Sequence, residues 1–257
     1  VLNLSGWRER GFYGLSYRVK KDIEGKDLGA RLRKTLDYEI EVLEHQFARN
    51  GVRTFGGMAQ FSDDHHVTVT DHAGETHVFG FDFAVIAVGT APYRPANIVF
   101  DNHTVLDSDS LISELRVPRS LTVVGAGVIG IEYATIFSAL DVPVTIIEPR
   151  DNFLDFIDRE IIEEFTHDLR QRGVTMRLGG KVERVEKDEQ GWAIAILTDG
   201  RQVRSDMLLY AAGRVGATDD LGLASCGVVP DDRGRLSVHP ETFQTQVPHI
   251  YAAGDVI

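Results

Sequence analysis

Cysteine is nearly absent: Cys226 stands alone among 257 residues and has no partner in the chain for a disulfide. Secreted proteins of this size usually contain bridged pairs, so one thiol points to the cytoplasm and to a small buried core residue. No apolar run approaches the ~18 residues that span a bilayer, and no basic-then-apolar signal segment opens the chain. A membrane partner is therefore not expected. Positive charge is scarce as well, with 27 Lys and Arg against 39 Asp and Glu and a balance of −12. Such a surface repels the phosphates of DNA and RNA, which argues against nucleic acid as a partner. Metal-ligand spacing is also missing. The stretch "SDDHHVTVTDH" holds Asp63, Asp64, His65, His66, Asp71 and His72, but strand neighbours face opposite ways and no zinc spacing appears. It predicts a solvated hairpin and no metal. Without a Gly-x-Ser-x-Gly elbow, and with Ser108 and Ser110 in an acidic loop, no serine nucleophile stands out.

What the chain does have is a 43% hydrophobic composition, enough for a sizeable core and more than one domain. Leu28, Leu32, Leu36, Ile40, Leu43 and Phe47 recur at spacings of three and four, which predicts an amphipathic helix over 26–49 with one packed face. Asn50-Gly51 should end it. Short strands follow at about 52–61, 66–70, 76–82 and 83–89, with hairpin chemistry in "DHAGE". The continuous run "AVIAVG" reads as a strand buried on both faces. From 121 the texture alternates: strand, helix 128–140, strand 142–148, helix 158–173, strand 174–179. That order requires parallel strands with right-handed crossovers, the first half of a doubly wound α/β sheet. Residues 181–213 read as a meander turning at Glu189-Gln190-Gly191 and Thr198-Asp199-Gly200. The start at Val1 and the stop at "YAAGDVI" lead us to expect a piece of a longer protein.

The stretch "TVVGAGVIGIEYA" places Gly125, Gly127 and Gly130 where a strand becomes a helix. The first N–H groups of a helix point outward there, with the positive end of its dipole behind them, so an anion fits. Gly125 allows the tight turn, Gly127 lets a pyrophosphate approach the backbone, and Gly130 lets helix and strand pack closely. Helix propensity of about 1 kcal/mol per glycine is given up for this. Ala126, Val128 and Ile129 complete the loop. Glu148 ends the second strand 18 residues after Gly130, where a carboxylate accepts from the adenosine ribose hydroxyls. The acid favours NAD. Arg150 is either a guanidinium that offsets repulsion of a 2′-phosphate, admitting NADP, or a solvated charge.

These residues carry a resemblance. "VVGAGVIGIEYATIFSALDVPVTIIEPRDNFLDFIDREI", with "VIAVGTAPYRP", "LDSDSLI", "LLYAAGRVGATDDLGL" and "IYAAGDV", resembles the two-dinucleotide flavoproteins, the pyridine nucleotide-disulfide oxidoreductase family. Together with the opening "VLNLSGWRERGFYG", it is most similar to that family's soluble transhydrogenase branch. The resemblance implies a Rossmann-like NAD(P) domain at about 117–238, inserted in an incomplete FAD-binding domain of residues 1–116 and 239–257. It implies that Val182 meets adenine and Gly213 lines the nicotinamide side. For FAD it implies an adenine contact at Ala59, a loop at Val88, Gly89 and Thr90, and a ribityl-binding acid at Asp255. Val128 stands where some members have a gating tyrosine. Glu132 matches a glutamate that pairs with a lysine beside the flavin, or it is a helix-surface acid.

The implied activity is FAD-dependent hydride transfer from NADPH to NAD+, in a cytoplasmic homodimer or higher homo-oligomer whose partners are nicotinamide dinucleotides. The alternatives are dihydrolipoamide dehydrogenase or a related FAD disulfide reductase and, in another class, a non-catalytic NAD-binding sensor. The family's first glycine motif, its redox cysteines and its C-terminal His-Glu pair are not in this sequence. No catalytic residue is expected within it, and the chain alone is expected neither to hold FAD tightly nor to turn over.

Overall fold

The computed structural model describes residues 5–6, 10–14, 19–20, 23–114 and 116–257, with residue 11 described in its backbone only. Of the opening segment compared above, residues 1–4 and 7–9 lie outside the described residues. Packing divides the chain into two compact units: Val1–Leu36 with Pro92–Gly213, and Asp37–Ala91 with Arg214–Ile257.

After a short helix α1 (Arg10–Tyr13), the leucine periodicity forms helix α2 (Gly25–Arg49). Gly51 stops it in the left-handed conformation, at φ 67°. The packed face expected of α2 is only partly realised. Leu28 and Leu32 are half-buried, whereas Leu36, Ile40, Leu43 and Phe47 are 47%, 53%, 49% and 41% exposed. Periodicity is enough to make the helix, but burying it requires a facing surface.

Strands β1 (Met58–Phe61), β2 (His66–Thr70) and β3 (Thr76–Gly80) form an antiparallel meander in the second unit. Its β2–β3 turn is held by Asp71, which accepts from the N–H groups of Ala73 and Glu75, with Gly74 at φ 83°. Strand β4 (Ala84–Ile86) pairs in parallel with a distant strand, Ile250–Ala252. The expected burial of β4 on both faces is corrected: Ile86 is 4% exposed, but Val85 is 65% and Phe83 is 69%. In a pair of only two strands one face meets solvent. Strand β5 (Thr90–Pro92) follows.

In the first unit, β6 (Val105–Asp107) leads into α3 (Ser108–Glu114), and β7 (Leu121–Val124), α4 (Val128–Ser138), β8 (Val144–Glu148), α5 (Arg159–Gln171) and β9 (Thr175–Leu178) alternate as expected. Asp158 caps α5 by accepting from the Glu160 N–H. Strands β10 (Val182–Lys187), β11 (Ala193–Leu197) and β12 (Gln202–Ser205) form the meander. The last predicted meander strand, β13 (Met207–Tyr210), instead enters a five-stranded parallel sheet of order β6-β13-β7-β8-β9. Its side chains alternate between two apolar layers. Val123, Ile146 and Leu209 face α4 and α5, while Val124, Ile147 and Leu208 face Ala193, Ala195, Leu197 and Val203 of the meander. This double burial explains the continuous apolar runs. Each such side chain contributes about 1.5–3 kcal/mol over leaving it exposed.

The last elements, β14 (Arg214–Gly216), α6 (Leu223–Cys226) and β15 (Ile250–Ala252), belong to the second unit. The unit edges at 92 and 213 differ from the expected domain edges at 117 and 238. Val105–Asp107 is drawn into the parallel sheet by β13. Leu223, Cys226, Val228 and Leu236 pack with Phe61, Ile86 and Ile250.

Candidate functional site

All five strands of the parallel sheet end on one edge. β7 crosses over to β8 on one side and has β13 on the other, so the order reverses between β7 and β13. That switch point is where doubly wound sheets open a crevice. Gly125 crosses it at φ 102°, and a Cβ there would lie 2.7 Å from the Ala211 carbonyl oxygen and 2.9 Å from the Ala212 Cα. At Gly130 a Cβ would lie 2.1 Å from the Gly125 oxygen and 3.2 Å from Val123 Cγ1. Both glycines are required by backbone proximity. Gly127 differs: it is the extended N-cap of α4, at φ −72° and ψ 179°, and a Cβ there would meet nothing within 4 Å. Folding does not demand glycine at that position.

The mouth is electropositive for a local reason. The first α4 bond runs from the Ile131 N–H to the Gly127 oxygen, so the N–H groups of Val128, Ile129 and Gly130 precede the intrahelical ladder. No side chain caps this end and no acid lies in its first turn. The Ala126 N–H is occupied, because it donates to Glu148 Oε2 at 2.7 Å.

Glu148 is 3% exposed at the end of β8. Its Oε1 accepts from the Arg150 backbone N–H at 3.2 Å and from Arg150 Nε at 2.7 Å. Burial pushes the carboxyl pKa up, but the Arg150 guanidinium and the Ala126 and Arg150 amides outweigh it and hold the group below its ordinary value. The carboxylate thus stays charged and pins the glycine loop. Arg150 is half-exposed on its side chain, with Asp155 as its second acidic neighbour at 3.5 Å. The Gly179 and Gly180 N–H groups bond the carbonyls of Arg150 and Glu148 at 3.0 Å each. These bonds bring the approach to Val182, partly buried at the start of β10, to the end of β8. Gly213 follows β13 at φ 126°, and its carbonyl accepts from the Tyr93 N–H at 3.1 Å. Val128 is 51% exposed, and Glu132 is exposed on α4.

The structure therefore gathers Gly125 to Gly130, Glu148, Arg150 and Gly213 at one sheet edge. Sequence reading missed Ala211 and Ala212, whose backbone dictates Gly125, and Tyr93, which bonds Gly213. A glycine-containing "AAG" directly after a buried strand was the available signal. Of the remaining candidates, Val88, Gly89 and Thr90 follow β4 and Asp255 follows β15, so adjacent parallel strands carry them at the same end. Thr90 is held by Arg214, whose Nε donates to Oγ1 at 2.7 Å. Asp255 is exposed. Ala59 stands on a different sheet, at its edge strand β1. No described helix is long and apolar enough to cross a membrane.

The sequence matches, over residues 14–257, the family model described as pyridine nucleotide-disulphide oxidoreductase. A protein of Mycobacterium tuberculosis named soluble pyridine nucleotide transhydrogenase is 44% identical over 259 residues, covering 100% of this chain and 55% of that protein. One of the same name from Chromohalobacter salexigens is 43% identical over 227 residues, covering 88% and 49%. Among solved structures, the HOCl-induced flavoprotein disulfide reductase RclA from Escherichia coli is 28% identical with a TM-score of 0.79, covering 89% of this chain and 51% of that one. LpdA from Mycobacterium tuberculosis shares the fold at 24% identity and a TM-score of 0.86, covering 99% and 55%. The chain spans about half the length of the curated relatives it matches.

Proposed function

The chain belongs to the pyridine nucleotide-disulphide oxidoreductase family, and from that premise we propose that it is the nucleotide-binding portion of an FAD-dependent soluble transhydrogenase that moves hydride from NADPH to NAD+. The observation that carries this reading is Gly127: a helix N-terminus at a sheet switch point, left bare where folding does not require it. Identity of 44% along the whole chain to a protein named soluble pyridine nucleotide transhydrogenase supports the transhydrogenase branch within the family.

In this reading the N–H groups of Val128, Ile129 and Gly130 receive the dinucleotide pyrophosphate. Glu148 accepts from the adenosine ribose, Val182 borders the adenine, and Gly213 and Val128 border the nicotinamide. One pocket must take both nucleotides. Glu148 and Arg150 already form an ion pair there, so a 2′-phosphate meets a guanidinium as well as a carboxylate. The residues present fit a flavin, since Asp255 and Val88 to Thr90 share the carboxyl end of two parallel strands. Bound FAD supplies the hydride relay. Asp255 would accept from a ribityl hydroxyl, Ala59 would offer its backbone to the adenine, and Glu132 would serve on the flavin side. We further assign a cytoplasmic homodimer or higher homo-oligomer.

A disulfide reductase is the second reading, supported by the likeness to RclA. The test is to mix the full-length protein carrying this chain with NADPH and thio-NAD+. Direct thio-NADH formation supports the proposal, and turnover only with a disulfide supports the reductase. A flavin that NADPH never reduces points to a sensor.

A further inference from the structure

We propose that Asp64, His65 and His249 form a binding site for a divalent transition cation of the zinc and copper class. His249 lies far along the chain, yet its ring stacks on that of His65 with centroids 4.2 Å apart and planes 4° from parallel. One ligand atom from each of the three residues lies within 4.8 Å of the others.

The hydrogen bonds fix the state of both rings. His65 Nδ1 faces the Phe81 carbonyl at 3.0 Å, and His249 Nε2 faces the Asp64 carbonyl at 2.7 Å. A carbonyl only accepts, so each of those nitrogens bears the proton. A neutral imidazole then keeps its lone pair on the other nitrogen, Nε2 of His65 and Nδ1 of His249. Metal-binding histidines are held in this way, with the second N–H on a carbonyl or carboxylate. The nearby acids divide in the same sense. Asp63 takes bonds from His65 and His66, and Asp71 from Ala73, Glu75 and His77. Among the described residues nothing donates to the Asp64 carboxylate. Two imidazole lone pairs and one unengaged carboxylate suit zinc or copper, with positions left for water. Zinc–nitrogen bonds of about 2.0–2.1 Å put ligand atoms roughly 3.4 Å apart, so side-chain rotation has to bring the two lone pairs and the carboxylate onto the ion. Asp64 and His65 are exposed and His249 half-buried, so the stack is free to open onto an ion. The reading does not depend on nucleotide binding.

The test is calorimetric titration of the purified chain with ZnCl2, and absorption of the Co2+-loaded form. We expect one ion per chain, with His65→Ala, His249→Ala and Asp64→Asn each weakening affinity at least about 10-fold. His66→Ala and His77→Ala should leave it unchanged. His65→Gln and His249→Gln keep an N–H donor for the carbonyl while removing the imidazole lone pair, so they replace any alanine variant whose circular dichroism shows lost structure. The proposal is overturned if the parent chain takes up no zinc. It is equally overturned if the His65 and His249 variants bind like the parent, or if His77→Ala alone abolishes binding.

Discussion

Replacing Gly127 with valine separates binding from folding. The backbone at φ −72° and ψ 179° is open to any residue, and nothing lies within 4 Å of the added Cβ. The structural cost is the poorer N-cap preference of valine, about 1 kcal/mol, or roughly 2–4 °C in melting temperature for a chain of this size. Binding should suffer far more. A branched side chain at the mouth denies the pyrophosphate at least two amide donors, and bonds to charged groups are worth about 1.5–3 kcal/mol each. Losing two raises the Kd for NAD+ about 100-fold or more. Gly130→Ala is the matched control. It adds one methyl, but within 2.1 Å of the Gly125 oxygen, so overpacking of about 1–3 kcal/mol should appear in the melt. Calorimetry with NAD+ and thermal denaturation by circular dichroism measure both. A folded Gly127→Val protein that binds NAD+ within about twofold of the parent would refute the placement of the pyrophosphate.

Glu148 has a folded pKa below its ordinary value, so it contributes stability above the unfolded pKa and loses it as pH falls through the folded one. The urea midpoints of the parent and Glu148→Gln should therefore keep their separation down to the ordinary carboxyl pKa of 4.5 and converge only below it, and a gap that does not change with acid would count against the buried carboxylate. Cys226 is 3% exposed and burial pushes its thiol pKa up. A disulfide reagent should label it only in denaturant, and fast labelling of native protein would show an open core. Asp158→Ala should cost about 1 kcal/mol through loss of the α5 cap; an unchanged urea midpoint would mean the bond to the Glu160 N–H is not made in solution.

The alternating half of the chain was legible because its signals are local. A β-branched run, a glycine turn and a capped helix recur within thirty residues or so, and β7, α4, β8, α5 and β9 lie close to where they were expected. The loop glycines were separable by role for the same reason, although only the structure distinguishes Gly125 and Gly130, which touch backbone, from Gly127, which does not. Long-range pairing was not legible. "MLLY" has the same apolar run whether it closes a meander or enters a parallel sheet, and its choice depends on Val105–Asp107 and Leu121–Val124 flanking it. The exposed face of Val85 and the ring of His249 over His65 likewise depend on residues far away in the chain.

Glu148 shows why a site residue expected from spacing can still carry an unforeseen arrangement. Its distance from Gly130 leads to the expectation of a ribose acceptor, but spacing says nothing of what else the carboxylate bonds. In the structure it bonds the Ala126 N–H on one oxygen and Arg150 on the other. A buried carboxylate cannot be left without donors, because the desolvation penalty of an unpaired charge is several kcal/mol. The same bonds hold the glycine loop in place in the folded chain, so in the proposed reading part of the ordering cost of nucleotide binding is met in folding. In the proposed reading a ribose that engages Glu148 shares it with Arg150, and we propose that this competition is what tells NAD from NADP.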